Sequence, residues 1–286
     1  MRKRQRTYSS GGIALTAIGA VVVALVLAVI PGQGWAAVTC PATETGADFD
    51  GDGLTDFQEC NGITLADGSV VPPCPSPGGR SACLDPNTKD LFVIYAPATA
   101  GSLLPVGFNP FGSVTAYGVA FNGLTDLGIT VHQITPAQAA ADRSVTSVEK
   151  AVRVAESLDA NGSILGYCQW GTPSGLDGCT IYTQRIKNFI NSTCTGLQIV
   201  TPAGIGTTVD DAFLAYAIHT FLHETGHTTG GMTATYNSSY GGYHYKCGAG
   251  TLMEQCVTYS TKGGKCKFNM STGWNTTLDA PTVNLR

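Results

Sequence analysis

The sequence is poor in charged residues and in histidine. Asp, Glu, Lys and Arg together make up 13% of its 286 residues, and the formal net charge is −4. A charge this small gives no reason to expect nucleic acid as a partner. Low charge combined with 36 glycines is typical of a secreted globular protein rather than a cytosolic or a disordered one. Because the chain has only five histidines, any histidine that falls into a metal-binding pattern is informative.

The ten cysteines include no CxxC pair, which argues against a zinc ribbon held by thiolates. Their even number instead indicates disulfides formed in an oxidising compartment. Closeness in the sequence favours the pairs Cys74–Cys83 and Cys168–Cys179. The sequence does not fix the connectivity of the others.

Apolar runs long enough to span a membrane are absent after residue 30. Before it, "IALTAIGAVVVALVLAVI" runs from Ile13 to Ile30, between the basic "MRKRQR" and "PGQGWAA". A basic start, an apolar stretch and small residues after a Pro-Gly break predict a secretory signal over residues 1–37. The stretch is long for a signal, so a permanent single-span anchor is the alternative. Either interpretation places the rest of the chain outside the cytoplasm, and we expect a secreted, extracellular protein with no further membrane association.

Two regions follow the signal: a Cys-bounded module with an acidic loop, predicted over residues 38–84, and a catalytic domain, predicted over 85–286. Apolar periodicity predicts the elements of the second region. Strands are expected over 90–96, 127–134, 163–168 and 197–201, and helices over 135–143, 147–158, 181–190 and 209–229. This order predicts an α+β fold with a mixed sheet, a central helix and a loop-rich, disulfide-bonded C-terminal part.

The most informative motif is "HETGH" at residues 223–227, inside the helix predicted over 209–229. Histidines four positions apart lie on one face of a helix, so His223 and His227 can direct ring nitrogens at one metal ion. Glu224 is adjacent to His223 and can act as general base on a water at that ion. The helix is apolar nearly all round, where uncoordinated His and Glu would need other partners. We therefore predict a Zn²⁺ site with Glu224 as the catalytic residue.

This stretch resembles the zincin superfamily of zinc metallopeptidases, whose metzincin branch has the pattern HExxHxxGxxH. Gly230 occupies the glycine position, but Thr233 stands where that branch has its third histidine. The resemblance implies a zincin-like metalloprotease domain and a third metal ligand further along the chain. His244, seventeen residues after His227, is the favoured ligand. Glu254 is the alternative, by analogy with the zincin branch that uses a downstream glutamate.

Other residues near the motif are assigned more general roles. His219 lies one helical turn before His223, a displacement of about 6 Å along the axis, and is interpreted as a packing residue. His132 in the strand predicted over 127–134 is interpreted as an ordinary histidine with satisfied contacts. The resemblance implies that Met253 forms a methionine turn beneath the zinc, with a simple core methionine as the alternative. The candidates for stabilising the oxyanion are Tyr243, Tyr245 and Tyr259.

A second metal motif, "DFDGDGLTDFQE", occupies residues 48–59. Its oxygen donors have the spacing of an EF-hand calcium loop, in which one ligand is a backbone carbonyl. The predicted Ca²⁺ ligands are Asp48, Asp50, Asp52, the Leu54 carbonyl, Asp56 and Glu59. The loop resembles the DxDGDGxxDxxE loops of thrombospondin type 3 repeats, although Thr55 replaces the usual aliphatic residue. A solvated acidic turn is the alternative to a structural calcium site.

Together the motifs predict a secreted, monomeric zinc metalloendopeptidase that acts on protein or peptide substrates and carries a structural Ca²⁺. One alternative is a zinc hydrolase of a non-peptide amide or ester. Another is a calcium-dependent extracellular binding protein with a vestigial metal site. The intact Glu224 counts against the vestigial site, because a site without turnover does not need a general base.

Overall fold

The part of the chain described by the structure, a computed structural model, consists of short strands, three α-helices and two single 3₁₀ turns. The described residues are 39–75, 83–139, 151–169, 178–228, 236–237, 242–243, 251–253 and 257–274. The strands are β1 (Ile63–Thr64), β2 (Val70–Val71), β3 (Lys89–Ala96), β4 (Val114–Ala116), β5 (Val119–Phe121), β6 (Ile129–Ile134), β7 (Val152–Ser157), β8 (Gly166–Gln169), β9 (Gly178–Tyr182), β10 (Gln198–Ile199), β11 (Tyr236–Asn237), β12 (Gly242–Tyr243), β13 (Thr258–Ser260) and β14 (Lys265–Asn269). The helices are α1 (Asp56–Asn61), α2 (Thr183–Thr193) and α3 (Val209–Thr228), and the 3₁₀ turns are Thr125–Leu127 and Lys262–Gly264. The signal predicted over residues 1–37 lies outside the described residues.

A five-stranded sheet in the order β6-β3-β7-β9-β8 lies at the centre. The strands β6, β3, β7 and β9 are parallel neighbours, whereas β8 pairs antiparallel with β9 at one edge. The interior strand β3, which lies between β6 and β7, matches the apolar run predicted over 90–96 and is buried over most of its length. A continuous apolar strand is expected where both faces of a parallel sheet are covered. The mixed sheet and few helices confirm the predicted α+β class.

The two faces of β3 belong to different cores. Leu91 and Val93 pack in the core that contains α3, whereas Phe92 and Ile94 pack in a second core that includes Leu54 of the acidic loop. The helix α3 contacts β7, β8, β9 and α2. Consequently β3 is packed both against the core of the HETGH helix and against the core of the acidic loop.

Four disulfides connect the described residues. Two of them, Cys74–Cys83 and Cys168–Cys179, confirm the pairs favoured by the sequence. The other two are Cys40–Cys60 and Cys194–Cys266. Bonds of this kind persist in an oxidising environment. Cys247 and Cys256 lie outside the described residues.

The prediction of a helix over 147–158 is wrong for the described part of that segment, because Val152–Ser157 is the strand β7. Burial alternates along this segment, with Val154 fully buried. Pairing with β3 on one side and β9 on the other decides the conformation, since a helix could not bond to both neighbours. The buried Glu156 carboxylate accepts hydrogen bonds from the backbone N–H groups of Ala98 and Leu103. Such long-range partners leave no periodic signal in the sequence.

The helices predicted over 181–190 and 209–229 correspond to α2 and α3. The helix predicted over 135–143 is wrong at its described start, where residues 136–138 form a turn. In that turn Gln138 N–H donates to the carbonyl oxygen of Thr135. Residues Ala37–Arg286 form one compact unit. None of the helices in the described segments has the length and apolar character needed to cross a bilayer.

Candidate metal sites

The helix α3 carries the HETGH motif and is buried along most of its length. Its start is capped by Thr208, whose Oγ1 accepts a hydrogen bond from Asp211 N at 3.0 Å. The Asp211 carboxylate accepts hydrogen bonds from Tyr117 N at 2.9 Å and from the Thr207 hydroxyl at 2.6 Å. These contacts tie the helix start to the β4–β5 hairpin, and the motif lies at the opposite end of α3.

The two predicted histidine ligands are adjacent on this helix. The ring centroids of His223 and His227 are 4.9 Å apart, and the rings are nearly perpendicular. His223 is buried, and its Nδ1 lies 2.7 Å from the carbonyl oxygen of Leu252. With Nδ1 donating to that carbonyl, Nε2 carries the lone pair of the ring. Metal-ligating histidines are usually oriented by such a bond from the second ring nitrogen.

His219 has a separate partner on the same helix. Its Nδ1 lies 2.9 Å from the carbonyl oxygen of Ser271, and its ring centroid is 6.1 Å from that of His223. The ring also contacts Tyr216 edge-on within the core. These contacts account for His219 as a packing residue, as its position one turn before His223 predicted.

The Glu224 side chain is directed beneath the edge strand β8. Its Oε2 is 3.0 Å from Cys168 Sγ, and a Cβ built on Gly166 would approach Oε1 to 2.4 Å. A sulfur in a disulfide carries no hydrogen, so the contact with Cys168 is van der Waals packing and not a hydrogen bond. Only a glycine at position 166 leaves this carboxyl its space. The sequence gives no sign of this role for Gly166.

Burial of Glu224 changes its acidity. Removal from solvent raises the pKa of the Glu224 carboxyl to about 8. A carboxyl that titrates close to neutral pH can both accept and release a proton under physiological conditions. Cys168 and Cys179 lie beside Glu224, but they are joined in a disulfide and therefore offer no thiolate to a metal.

The segment Thr251–Met253 passes beneath His223. Leu252 and Met253 are fully buried, and Leu252 N donates to the Gly273 carbonyl oxygen at 3.0 Å. Met253 is thus a core residue next to the residue that orients His223. The predicted third ligand His244 and the alternative Glu254 lie outside the described residues.

The three tyrosines predicted to stabilise the oxyanion are described by the structure to different extents. Tyr259 is half-exposed on β13, and its ring packs against Phe189 and Phe268. For Tyr243 only the backbone is described, in β12, and Tyr245 is outside the described residues. The choice among the three therefore stays a prediction.

The acidic loop is tightly wound and leads directly into α1. Asp48 accepts hydrogen bonds from Gly51 N at 2.7 Å and from Gly53 N at 3.2 Å, and Gly53 has a φ of 107°, which a side chain would strain. Thr55, which departs from the usual calcium loop, is the N-cap of α1 and forms a capping box with Gln58. Thr55, which stands where the usual calcium loop has an aliphatic residue, therefore stabilises the start of α1.

Three of the predicted calcium ligands place carboxylates close together. Oxygen atoms of Asp48, Asp50 and Asp52 lie within 4.8 Å of one another. Burial, reinforced by the Asp52 charge, raises the pKa of Asp50 to about 8, and burial raises that of Asp52 to about 7. Burial and the Asp50 charge raise the pKa of Glu59 to about 11. Buried like charges of this kind can be held ionised by a bound cation.

Comparisons of the chain with protein-family models, with curated proteins and with solved structures found no match. Any proposal about function therefore depends on the arrangement of the side chains in the two sites.

Proposed function

We propose that the chain is a secreted zinc-dependent metalloendopeptidase with a zincin-type catalytic domain, acting as a monomer. The observation that carries the proposal is the pair of adjacent imidazoles, His223 and His227, with His223 oriented by the Leu252 carbonyl and followed by Glu224. Two imidazoles on one face of a helix suit Zn²⁺. His244 is the proposed third ligand, and Glu254 is the alternative. The disulfides support a location outside the cytoplasm.

Glu224 is the proposed general base. When bound, zinc would polarise the scissile carbonyl and make an attacking water more acidic. Glu224 takes a proton from that water and later passes it to the leaving amine. The raised pKa of this carboxyl makes it a stronger base, which favours the first of these two transfers.

The edge strand β8 is the proposed guide for the substrate. Among the described strands it has a neighbour on one side, β9, and its Gly166 lies directly against Glu224. An extended peptide can add to a sheet edge through main-chain hydrogen bonds, which would bring a peptide bond close to the base. This arrangement favours a peptide over a small ester or amide.

The acidic loop is the proposed site of a structural Ca²⁺. Oxygen donors from closely spaced aspartates and a glutamate suit this hard cation. The proposed ligands are Asp48, Asp50, Asp52, the Leu54 carbonyl, Asp56 and Glu59.

The proposal is tested by the zinc content and by casein hydrolysis of two helix variants. We expect His223→Gln to lose both bound zinc and turnover, because one of the ligands is removed. His219→Gln, a matched change one turn earlier, should retain both. Zinc is measured by mass spectrometry after gel filtration, and turnover by release of acid-soluble peptides. A wild-type chain that binds zinc without hydrolysing casein would overturn the peptidase proposal, and hydrolysis of esters alone would favour the non-peptide alternative.

Gly166→Ala tests the position of Glu224. The added methyl group overlaps the Glu224 carboxyl, so the base must shift, and we expect kcat/KM to fall about tenfold to a hundredfold. Gly112→Ala is the control, since its Cβ would meet no atom within 4 Å. Both variants should keep the wild-type zinc content. Equal activity of the two variants would contradict the placement of the base beneath β8.

A further inference from the structure

Asp90 lies outside the acidic loop in the sequence, but its carboxylate adjoins the loop in the fold. It is the second residue of β3 and is fully buried. Its backbone N–H donates to Asp52 Oδ2 at 2.6 Å. Carboxylate oxygens of Asp52, Glu59 and Asp90 all lie within 4.8 Å of one another. Three buried carboxylates this close repel one another strongly unless a cation or protons neutralise them.

Glu59 provides the second, independent observation. The residue is fully buried, and neither of its carboxylate oxygens has a hydrogen-bond partner within the described parts of the chain. The carboxylates of Asp52 and Asp90 lie within 4.8 Å of it, and their charges raise its pKa further. A buried carboxylate without a donor is costly, and metal coordination is one of the ways in which proteins satisfy it.

The basic groups nearby, Lys89 and His132, contact the acidic cluster at Asp50 and Asp90 and form no hydrogen bond with Glu59. The Lys89 ammonium donates to the backbone carbonyl oxygen of Asp50. His132 Nε2 lies 2.6 Å from Asp90 Oδ1, and its ring stacks on Phe92. These contacts orient the Asp90 carboxylate and the loop backbone, but neither reaches Glu59 with a hydrogen bond.

We infer that Asp90 is an additional ligand of the calcium ion, so that the site is shared between the acidic loop and the strand β3. All of the proposed ligands are oxygen atoms, and they are more numerous than the ligands of an octahedral Mg²⁺ site. Both properties favour Ca²⁺ over Mg²⁺ or Zn²⁺. The ion then joins the loop to the sheet. The inference rests on the proposed calcium loop, but it does not depend on peptidase activity.

The inference is tested by calcium titration calorimetry on the whole secreted chain and three variants. Asp90→Asn keeps the shape of the side chain and removes its charge, and Glu59→Gln does the same within the loop. We expect each to weaken Ca²⁺ binding about tenfold or more. Asp67→Asn is the control, because Asp67 is exposed in the β1–β2 turn, and it should bind like the wild type.

Hydrogen exchange on the unaltered chain tests the same point without relying on a variant that folds. Ca²⁺ should slow exchange of the backbone amides at the start of β3 as well as in residues 48–59. Wild-type affinity in Asp90→Asn together with weakened Glu59→Gln would overturn the role of Asp90 and leave the calcium loop intact. Protection restricted to 48–59 would do the same. A wild-type chain that binds no Ca²⁺ would overturn both.

Discussion

Glu224→Gln is expected to reduce kcat/KM for peptide hydrolysis about a hundredfold to ten-thousandfold, because positioned acid–base catalysis contributes that much. Gln has nearly the same shape as Glu, so the packing against Cys168 and Gly166 should be preserved. The amide cannot take a proton from the attacking water. The measurement is the rate of cleavage of a quenched fluorescent peptide, with zinc content determined on the same sample.

Glu224→Asp provides the matched comparison for this prediction. It keeps the carboxylate but withdraws it by one methylene from its position beneath β8. We expect activity between those of the wild type and the Gln variant, with zinc content unchanged in all three proteins. Full activity of a zinc-loaded Glu224→Gln protein would exclude Glu224 as the base.

Removal of calcium is expected to lower the melting temperature by about 10 °C, relative to Ca²⁺ at about a thousand times its dissociation constant. The physical reason is that the half-buried carboxylate of Asp50 and the buried carboxylates of Asp52 and Glu59 lose the cation that offsets their repulsion. The measurement is calorimetric melting with and without a calcium chelator. It is best made on His223→Gln, in which the chelator has no catalytic zinc to remove. An unchanged melting temperature would contradict the structural role of the ion.

The calcium-free chain should also lose stability as the pH rises. Native Asp52 and Asp50 have pKa values raised to about 7 and about 8, whereas unfolded aspartate titrates near pH ~4. Between about pH 4 and 8 the native chain therefore binds more protons than the unfolded chain, so the free energy of unfolding falls with rising pH. The increase in melting temperature caused by Ca²⁺ should be larger at pH 8 than at pH 5. An equal increase at both pH values would contradict this explanation.

The elements that the sequence predicts well are those with a local signal. The helix α3 has a cap, an acidic first turn and a long apolar body, and β3 is a continuous apolar run bounded by polar residues. The spacing of His223 and His227 likewise predicts that their rings meet, since helix geometry alone brings residues four apart together. Nothing beyond the neighbouring turns is needed for these features.

The features that sequence reasoning missed depend on distant partners. The sequence predicts a helix where the structure has β7, because the conformation of this segment is decided by pairing with β3 and β9. Asp90 and His132 are separated by 42 positions, and neither lies in a recognisable motif. One signal was available: Asp90 is an acidic residue at the start of a buried apolar run, where a charge requires a partner.

The disulfide Cys168–Cys179 has a consequence for the alignment of β8. It joins two residues that lie directly opposite each other on β8 and β9, so the register of the edge strand is fixed covalently. A slip by one residue reverses the faces of a strand, which would turn Gly166 away from Glu224 and bring the exposed Tyr167 over it. The bond thus prevents a misalignment that would place the Tyr167 side chain, instead of Gly166, above the Glu224 carboxyl.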